Sequence, residues 1–432
     1  MRLGARAGIA LLVVVLSGCS WLTRFHHPHG GTSGKHYLVY WDQNEEEDQL
    51  SMPSGQLGQL IPPWDPNGQL CIVPDGSGRF VVGYNPTLPS QNNPGGLLPY
   101  KNPPVGEELY DRHGHFTGQT IYVPGKYALP GQTLGGDIPP DSTPGGGVEG
   151  SNFNNNGTMT GCAFDHEANL FASDLGTAQG DFPPPDNGRI IEWFAPDYRS
   201  FCVVDGPTAG GDGPHHVDGT GGLRQPGDLA VDPHTDDLMV TEAGAIDANG
   251  LPAGRVLRFL HSSLPRNASQ CGPDGLYPRN LLQTSVFVQG SLTDLPFPIG
   301  IARDPICHCW AVDTSFGDPA IQWFDDAGQP VAGHGTVPGE SLADIGQDPN
   351  GYNPFGLAFA PDGTLYFTDI HIQCSAPLLG CGPANLGGRE MRVPMNGDQP
   401  GTPEVVASGY DFPTSVTVCD PGREVCPFRN NS

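Results

Sequence analysis

A six-bladed β-propeller, an all-β ring of small sheets, is the fold that the sequence predicts, and three observations predict it. A two-strand phrase recurs six times along the chain. A third strand follows most copies, and the one missing at the C-terminus is found near the N-terminus, in Gly34–Asp42. Repeats of this length and type indicate a propeller or a related array.

The clearest copy of the phrase is NPFGLAFAPDGTLYFTD, Asn353–Asp369. Leu357–Phe359 predict a first strand, Pro361–Gly363 a tight turn, and Leu365–Phe367 a second strand. The other five copies share this pattern and cover Gln69–Tyr84, Met159–Asp174, Gln225–Glu242, Phe297–Asp313 and Asp411–Gly422. The copy Phe297–Asp313 aligns without a gap, whereas Gln225–Glu242 needs one inserted residue in its turn.

The third strands begin in most copies with glycine. They are Gly106–Gly114, Gly188–Phe194, Gly254–Leu260, Pro319–Gly328 and Gly388–Gly397. The sixth copy runs out of chain, and Gly34–Asp42 is predicted to be its third strand. The N- and C-terminal strands would then share one blade, which closes the ring and removes free sheet edges.

The N-terminus precedes the fold. Residues 1–18 predict a signal peptide, because arginines precede an apolar run, Ile9–Leu16, too short to span a bilayer. Leu16-Ser17-Gly18-Cys19 resembles the lipobox of bacterial lipoproteins, which implies that Cys19 is lipidated and begins the mature protein. Residues 19–33 are then a flexible tether, and residues 34–432 form a single propeller domain.

Charge and composition limit the partners. The net charge of −27 argues against nucleic acid and against direct adsorption to anionic lipid, so Cys19 is the expected link to a membrane. Ser20 after the cysteine is consistent with an outer membrane. The predicted location is therefore the cell envelope. Acidic residues also suit Ca²⁺, although solubility alone explains them.

Cysteines predict disulfides. Of 11 cysteines, ten remain without Cys19, an even number in an exported chain. The predicted pairs are Cys71–Cys162, Cys202–Cys271, Cys307–Cys309, Cys374–Cys381 and Cys419–Cys426. The Cys-His-Cys spacing places Cys307 and Cys309 on one face of a strand. We favour a disulfide there over a metal, because the spacing lacks the paired knuckles of a zinc site.

Long connections are predicted on one face of the ring, opposite the tight turns between first and second strands. They are residues 85–104, 130–158, 175–187, 205–225, 261–294, 331–352 and 370–387. Loops of this length often carry binding or catalytic residues. Any binding or catalytic site is therefore expected on this face, over the central channel.

Side chains that could bind a cation are predicted at the same face. Second strands close with a carboxylate in four copies, namely Asp174, Glu242, Asp313 and Asp369, and with Tyr84 in the weak copy. Two interpretations stay open: a ring that binds a cation, or hydrogen bonds to neighbouring loop backbone. Asp228, at the start of a first strand, adds a fifth carboxylate. The proposed metal ligands are Asp228, Asp174, Glu242 and Asp313.

The phrase P-x-G-L-A-F-x-P-D-G-x-L-Y-x-x-D, followed by G-R-I, resembles NHL-repeat propellers and the TolB-like six-bladed group that includes SMP-30/gluconolactonase enzymes and quinoprotein sugar dehydrogenases. The lactonase resemblance implies a metal held by Asn or Asp early in the first strand. Those positions here hold Thr160, Gly227, Ile299, Phe355 and Thr414. The quinoprotein resemblance implies a channel histidine as base, for which His215 and His216 are the catalytic candidates.

Three functions therefore stay open. The first is a lipid-anchored propeller that binds an envelope or extracellular ligand or protein through its long-looped face. The second is a Ca²⁺-dependent hydrolase of the lactonase or esterase type. The third is a dehydrogenase that uses pyrroloquinoline quinone. Short degenerate motifs support the fold and leave the activity open.

Overall fold

The computed structural model of the chain describes residues 36–43, 46–61, 69–84, 106–122, 159–174, 188–206, 223–272, 275–340, 351–376, 379–383, 386–410 and 413–429. The predicted signal peptide, Cys19 and the tether lie outside these residues. Within the described part of the chain, no helix is long and apolar enough to cross a membrane. The architecture is all-β, with six blades.

Five blades are continuous in sequence and are numbered in chain order. Blade 1 contains β4 (Leu70–Ile72), β5 (Phe80–Tyr84), β6 (Gly106–Tyr110) and β7 (Phe116–Tyr122). Blade 2 contains β8 (Met159–Phe164), β9 (Leu170–Asp174), β10 (Arg189–Trp193) and β11 (Phe201–Asp205). Blade 3 contains β12 (Pro226–Val231), β13 (Leu238–Glu242), β14 (Arg255–Phe259) and β15 (Thr284–Gln289).

Among the described residues, blade 4 contains three strands, β16 (Pro298–Arg303), β17 (Trp310–Thr314) and β18 (Ile321–Phe324). Blade 5 contains β19 (Pro354–Phe359), β20 (Leu365–Asp369), β23 (Gly388–Val393) and β26 (Glu404–Tyr410). Two small hairpins interrupt it: β21 (Ile372–Ala376) with β22 (Leu379–Pro383), and β24 (Met395–Asn396) with β25 (Gln399–Pro400). The only helices among the described residues are two 3₁₀ turns, His261–Ser263 and Ala268–Gln270.

Blade 6 joins the two ends of the chain, as predicted. Its strands are β27 (Val416–Cys419), β1 (Tyr37–Gln43), β2 (Glu46–Met52) and β3 (Gln56–Ile61), in that order. The prediction that Gly34–Asp42 forms the third strand of this blade is wrong. β1 pairs directly with β27 and is the second strand, so the N-terminus supplies three strands and the C-terminus one.

The hydrophobic core is divided between the blades. The first strands, here called the inner strands, contact one another around a complete ring, from β4 through β8, β12, β16 and β19 to β27 and back to β4. Six packed clusters of buried side chains follow, one at each blade–blade interface. Each blade therefore packs against a neighbour on both of its faces. Because successive strand residues point to opposite faces of a sheet, the middle strands are apolar on both sides.

The two faces of the ring differ. The connections from first to second strand are short, and they define the turn face; the opposite face is the looped face. Residues 261–283 join β14 to β15, and such third-to-fourth connections return to the turn face. The prediction that this segment belongs to the looped face is therefore wrong. Arg266 in this segment lies 3.3 Å from Glu167, which is in the turn of blade 2.

Four predicted disulfides are present among the described side chains: Cys71–Cys162, Cys202–Cys271, Cys307–Cys309 and Cys419–Cys426. The first links inner strands of blades 1 and 2. Cys374 and Cys381 stand opposite each other in the β21–β22 hairpin, but their side chains lie outside the described part. Cys307 and Cys309 occupy a turn before β17, so the prediction that they share a strand face is wrong.

Candidate functional site

The inner strands begin with a repeated β-bulge. In four blades two residues of the inner strand stand opposite one residue of the second strand. These pairs are Thr160-Gly161, Gly227-Asp228, Ile299-Gly300 and Phe355-Gly356, opposite Ser173, Thr241, Asp313 and Thr368. Bulges re-aim side chains and are frequent beside functional sites. The bulges lie at the end of the channel that opens on the looped face.

Asp313 does not belong with the other three second-strand carboxylates. Pro298 pairs with Thr314, as Pro354 pairs with Asp369, so Thr314 holds the position of Asp369. The ungapped alignment of this copy is wrong, because its turn between the strands has one residue more. Thr314 also replaces the carboxylate functionally: its hydroxyl accepts the N–H of Phe297 at 3.1 Å.

The other three carboxylates are internally neutralised. Asp174, Glu242 and Asp369 are buried, and each pairs with the arginine opposite it on the third strand, Arg189, Arg255 or Arg389. These arginines are those of the repeated Gly-Arg dipeptide. Asp369 also accepts the backbone N–H groups of Asn353 at 2.9 Å and His371 at 3.0 Å. The contacts favour the loop-anchoring interpretation of this column over a cation-binding ring.

Asp228 occupies a position that is glycine in neighbouring blades. The second bulge residue is Gly161, Gly300 or Gly356 elsewhere, and blade 3 reverses the order to Gly227-Asp228. An ideal Cβ on Gly161 would lie 2.7 Å from the Cα of Asp228, so the inner strands approach too closely there for a side chain. The Asp228 carboxylate is therefore packed within the ring of inner strands.

Asp228 bridges several blades. Its carboxylate accepts the N–H of Leu229 at 2.7 Å, and it is hydrogen-bonded to the Gln69 side chain of blade 1 and the Ile301 backbone of blade 4. Gln69 similarly accepts the backbone N–H of Cys162 in blade 2. Both side chains thus satisfy backbone N–H groups at the edges of inner strands. Gln69 was missed because its copy of the repeat is weak.

Asp313 completes what we call the channel pair, Asp228 and Asp313. Its Oδ1 accepts the N–H groups of Gly300 at 2.7 Å and Ile299 at 3.3 Å, while Oδ2 is buried without a partner among the described residues. In blade 4 the third strand offers Ile321 near this position, not an arginine. Two buried carboxylates with one uncommitted oxygen can hold a proton or a hard cation.

The protonation of the channel pair is shifted by its surroundings. Burial raises the pKa of Asp228 to about 8, and the charge of Asp313 adds to this effect, whereas hydrogen bonds from Leu229 and Gln69 oppose it. Burial likewise raises the pKa of Asp313 to about 7, against the hydrogen bonds from Gly300 and Ile299. The pair therefore takes up protons near neutral pH unless a cation compensates its charge.

The remaining predicted site residues are placed as follows. His215 and His216 lie outside the described residues, and so does the side chain of Tyr84. At the positions implied by the lactonase resemblance, the Thr160 hydroxyl is hydrogen-bonded to Ser173 at 2.9 Å and to the Pro226 carbonyl at 2.8 Å. The other three described first bulge residues carry no donor or acceptor in their side chains.

Comparison with known proteins gives only distant structural neighbours. No protein-family model and no curated protein matches the chain. Among solved structures it is similar to a chain of a nidogen/laminin complex, at 12% identity and TM-score 0.46, covering 89% of this chain and 98% of that one. A protein of unknown function from Bacteroides caccae has 10% identity and TM-score 0.42, with 89% and 99% covered. A gluconolactonase from Xanthomonas campestris has 13% identity and TM-score 0.40, with 76% of each chain covered.

These structural neighbours thus include a chain of a nidogen/laminin complex and a gluconolactonase. Identities and TM-scores at this level carry no argument about activity, which has to be drawn from the site itself.

Proposed function

We propose that the protein is an envelope propeller that binds a ligand with an apolar surface at the channel mouth of its looped face. The observation that carries this proposal is the chemistry of the first bulge residues. Ile299 and Phe355 are apolar and partly exposed, and Gly227 has no side chain there. Apolar side chains that are partly exposed are typical of the lining of ligand-binding sites.

The surroundings of the mouth support binding without chemistry. The carboxylates Asp174, Glu242 and Asp369 are each neutralised by an arginine, so they present little net charge to a ligand. Phe297 and Phe316, in the connections beside the blade 4 bulge, form an edge-to-face pair with centroids 5.3 Å apart. Both rings are buried, so this pair supports the mouth from beneath and makes it rigid.

Nile red, a neutral apolar dye, tests the binding surface. The soluble domain, residues 20–432, is expected to bind it saturably, and Phe355→Ser should weaken binding at least about tenfold, roughly 1.4 kcal/mol. Fluorescence titration measures this. Ile306→Ser is the matched control, because Ile306 is 57% exposed on the turn face. Equal losses in both variants, or none in Phe355→Ser, would contradict the proposal.

Attachment to the envelope is proposed through Cys19. The wild-type protein should sediment with membranes, and Cys19→Ala should appear in the soluble fraction, because the chain's net charge of −27 gives it no attraction to anionic lipid. Cell fractionation followed by immunoblotting measures this, with Ser20→Ala as control. Retention of Cys19→Ala on membranes would refute the lipid anchor.

A Ca²⁺-dependent hydrolase is the second candidate, and one observation favours it. Asp313 Oδ2 is a buried carboxylate oxygen without a partner among the described residues, next to a second buried carboxylate. Such oxygens are the ligands that Ca²⁺ prefers. Calcium-dependent lactone hydrolysis that Asp313→Asn abolishes would separate this candidate from binding alone. The quinone-dependent alternative depends on His215 and His216 and stays a prediction.

A further inference from the structure

Four potential metal ligands meet on the turn face, away from the channel. Asp304, Cys307, Cys309 and His334 each offer a ligand atom, and these atoms all lie within 4.8 Å of one another. We call this group the turn-face cluster. Asp304 and Cys309 are buried, whereas Cys307 and His334 are partly exposed, so the cluster is open to solvent on one side.

A tight turn brings the two cysteines together. The N–H of His308 donates to the Asp304 carbonyl at 3.0 Å, and the N–H of Asp304 donates to the Cys309 carbonyl at 2.9 Å. His308 has a φ of 55°, and the cysteine Cα atoms are 5.2 Å apart. This is closer than the roughly 6.5 Å between alternate residues of a strand. His308 itself is exposed and is not part of the cluster.

His334 is oriented for metal binding by its own contacts. Its Nδ1 lies 3.0 Å from the Gly335 carbonyl, which can only accept, so Nδ1 carries the proton and Nε2 keeps its lone pair. The imidazole also stacks on Trp323, with ring centroids 4.5 Å apart. In most metal-binding histidines one ring nitrogen donates its proton to a carbonyl or carboxylate oxygen and the other nitrogen binds the metal.

The carboxylate of Asp304 is also oriented by its own hydrogen bonds. Its Oδ2 accepts the indole N–H of Trp323 at 3.2 Å, and its Oδ1 accepts the backbone N–H of Ile306 at 2.8 Å. Oδ1 also accepts the backbone N–H of Cys307 at 3.3 Å, whereas Oδ2 keeps a second lone pair, so these bonds orient the group and leave Oδ2 able to bind a metal. Trp323 thus contacts both Asp304 and His334, which holds the two non-cysteine ligands in place.

We propose that the turn-face cluster is a redox-gated site for a zinc-type divalent cation. When Cys307 and Cys309 are oxidised, their disulfide leaves no thiolate for a metal. When a dithiol reduces them, two thiolates, one imidazole and one carboxylate provide the four ligands of a tetrahedral Zn²⁺ site. This inference concerns the turn face and does not depend on the ligand proposed for the looped face.

The chemistry of the switch is thiol–disulfide exchange. One thiolate of the dithiol attacks a cysteine sulfur and forms a mixed disulfide, and its second thiolate then displaces the cysteine. The dithiol leaves as a disulfide, and the protein gains two thiols. Binding of the cation releases the two thiol protons, so uptake of metal is coupled to pH.

A purely structural role explains this disulfide poorly. A disulfide stabilises a fold mainly by closing a loop in the unfolded chain, and the effect falls as the loop shortens. Cys307 and Cys309 are two positions apart in sequence, whereas Cys202 and Cys271 are 69 apart. The Cys307–Cys309 bond therefore constrains the unfolded chain least among the four disulfides of the described residues.

Cobalt binding tests the proposal, because Co²⁺ replaces Zn²⁺ and has absorption bands diagnostic of tetrahedral thiolate coordination. Residues 20–432 would be reduced with dithiothreitol, desalted without oxygen and titrated with Co²⁺. The reduced protein should bind one equivalent with thiolate-to-cobalt charge transfer, and the oxidised protein should show none. Zn²⁺ should displace the bound Co²⁺ and abolish the bands.

Two histidine variants provide the decisive comparison. His334→Ala should weaken Co²⁺ binding at least about tenfold, whereas His308→Ala, between the two cysteines, should leave it unchanged. Cys307→Ser/Cys309→Ser should lose the charge-transfer band, and this test stands even if His334→Ala fails to fold. The proposal is overturned if reduced wild type binds no cobalt, if the two histidine variants bind equally, or if the double serine variant retains the band.

Discussion

The free energy of unfolding should fall by several kcal/mol between about pH 4 and pH 8, and Asp228→Asn should remove much of this fall. Burial raises the pKa of Asp228 from 3.8 to about 8. Each pKa unit corresponds to about 1.4 kcal/mol. Between these values the folded protein keeps a proton that the unfolded chain releases, so rising pH favours unfolding. Below about pH 4 both states are protonated, and above about pH 8 both are ionised.

Urea unfolding at a series of pH values measures this effect. The matched control is Asp362→Asn, since Asp362 is exposed in the blade 5 turn and accepts a backbone N–H from Thr364 at 3.0 Å, which an amide oxygen also accepts. The control should keep the wild-type pH profile. If Asp228→Asn keeps it too, the buried carboxylate does not control stability and the proposed protonation of the channel pair is wrong.

Urea unfolding in the presence of Ca²⁺ tests whether the channel pair binds this cation. If the channel pair binds Ca²⁺, its charges are compensated, and added Ca²⁺ should raise the stability of the wild type at pH 8 but not that of Asp228→Asn or Asp313→Asn. If Ca²⁺ leaves all three unchanged, the pair carries protons only. The second outcome would remove the observation that favours a calcium-dependent hydrolase and would leave binding at the channel mouth.

The sequence predicted the fold because strand periodicity and turn chemistry are local. Each blade repeats an apolar alternation with a Gly-containing or Asp-containing turn, and the six copies therefore identify six blades. The Cys71–Cys162 disulfide was predictable for the same reason, because the two cysteines lie at equivalent positions on the first strands of neighbouring blades.

The site was harder to predict, because it depends on single-residue register. One extra residue in the turn before β17 moves Asp313 from the arginine-paired column to the position opposite the bulge. A shift of one residue in a strand reverses the direction of the side chain. No local signal shows that Asp228 takes the place of a packing glycine. His334 is far from Cys307 in sequence, and only the fold brings them together.

The two proposed sites, the channel mouth and the turn-face cluster, lie on opposite faces of the ring. The channel mouth is built from the bulges of inner strands, whereas the turn-face cluster is built from one turn of blade 4 and the segment after β18. Residues of β16 and β17 connect them, since Asp313 and Asp304 lie at opposite ends of this hairpin. Variants in one site should therefore leave the other intact, and each serves as a folding control for the other.

Loss of β1 should abolish cooperative folding, whereas removal of the residues before it should not. Five consecutive side chains of β1, Tyr37 to Trp41, are buried. At roughly 1.5–3 kcal/mol each, their burial is worth about 8–15 kcal/mol, which is comparable to the roughly 5–15 kcal/mol stability of a whole domain. Removal would also leave β27 and β2 with unpaired edges inside the ring.

The comparison is between two truncations that differ by eight residues, 36–432 and 44–432. Thermal unfolding followed by circular dichroism, together with gel filtration, should show a cooperative monomer for the longer protein and aggregation or a broad transition for the shorter one. The contact of Tyr40 with the Pro427 carbonyl, 2.5 Å long, ties β1 to the C-terminal segment, so both ends of the chain depend on it. A shorter protein that unfolds at the wild-type temperature would show that the ring closes without β1, and the strand order of blade 6 would then be wrong.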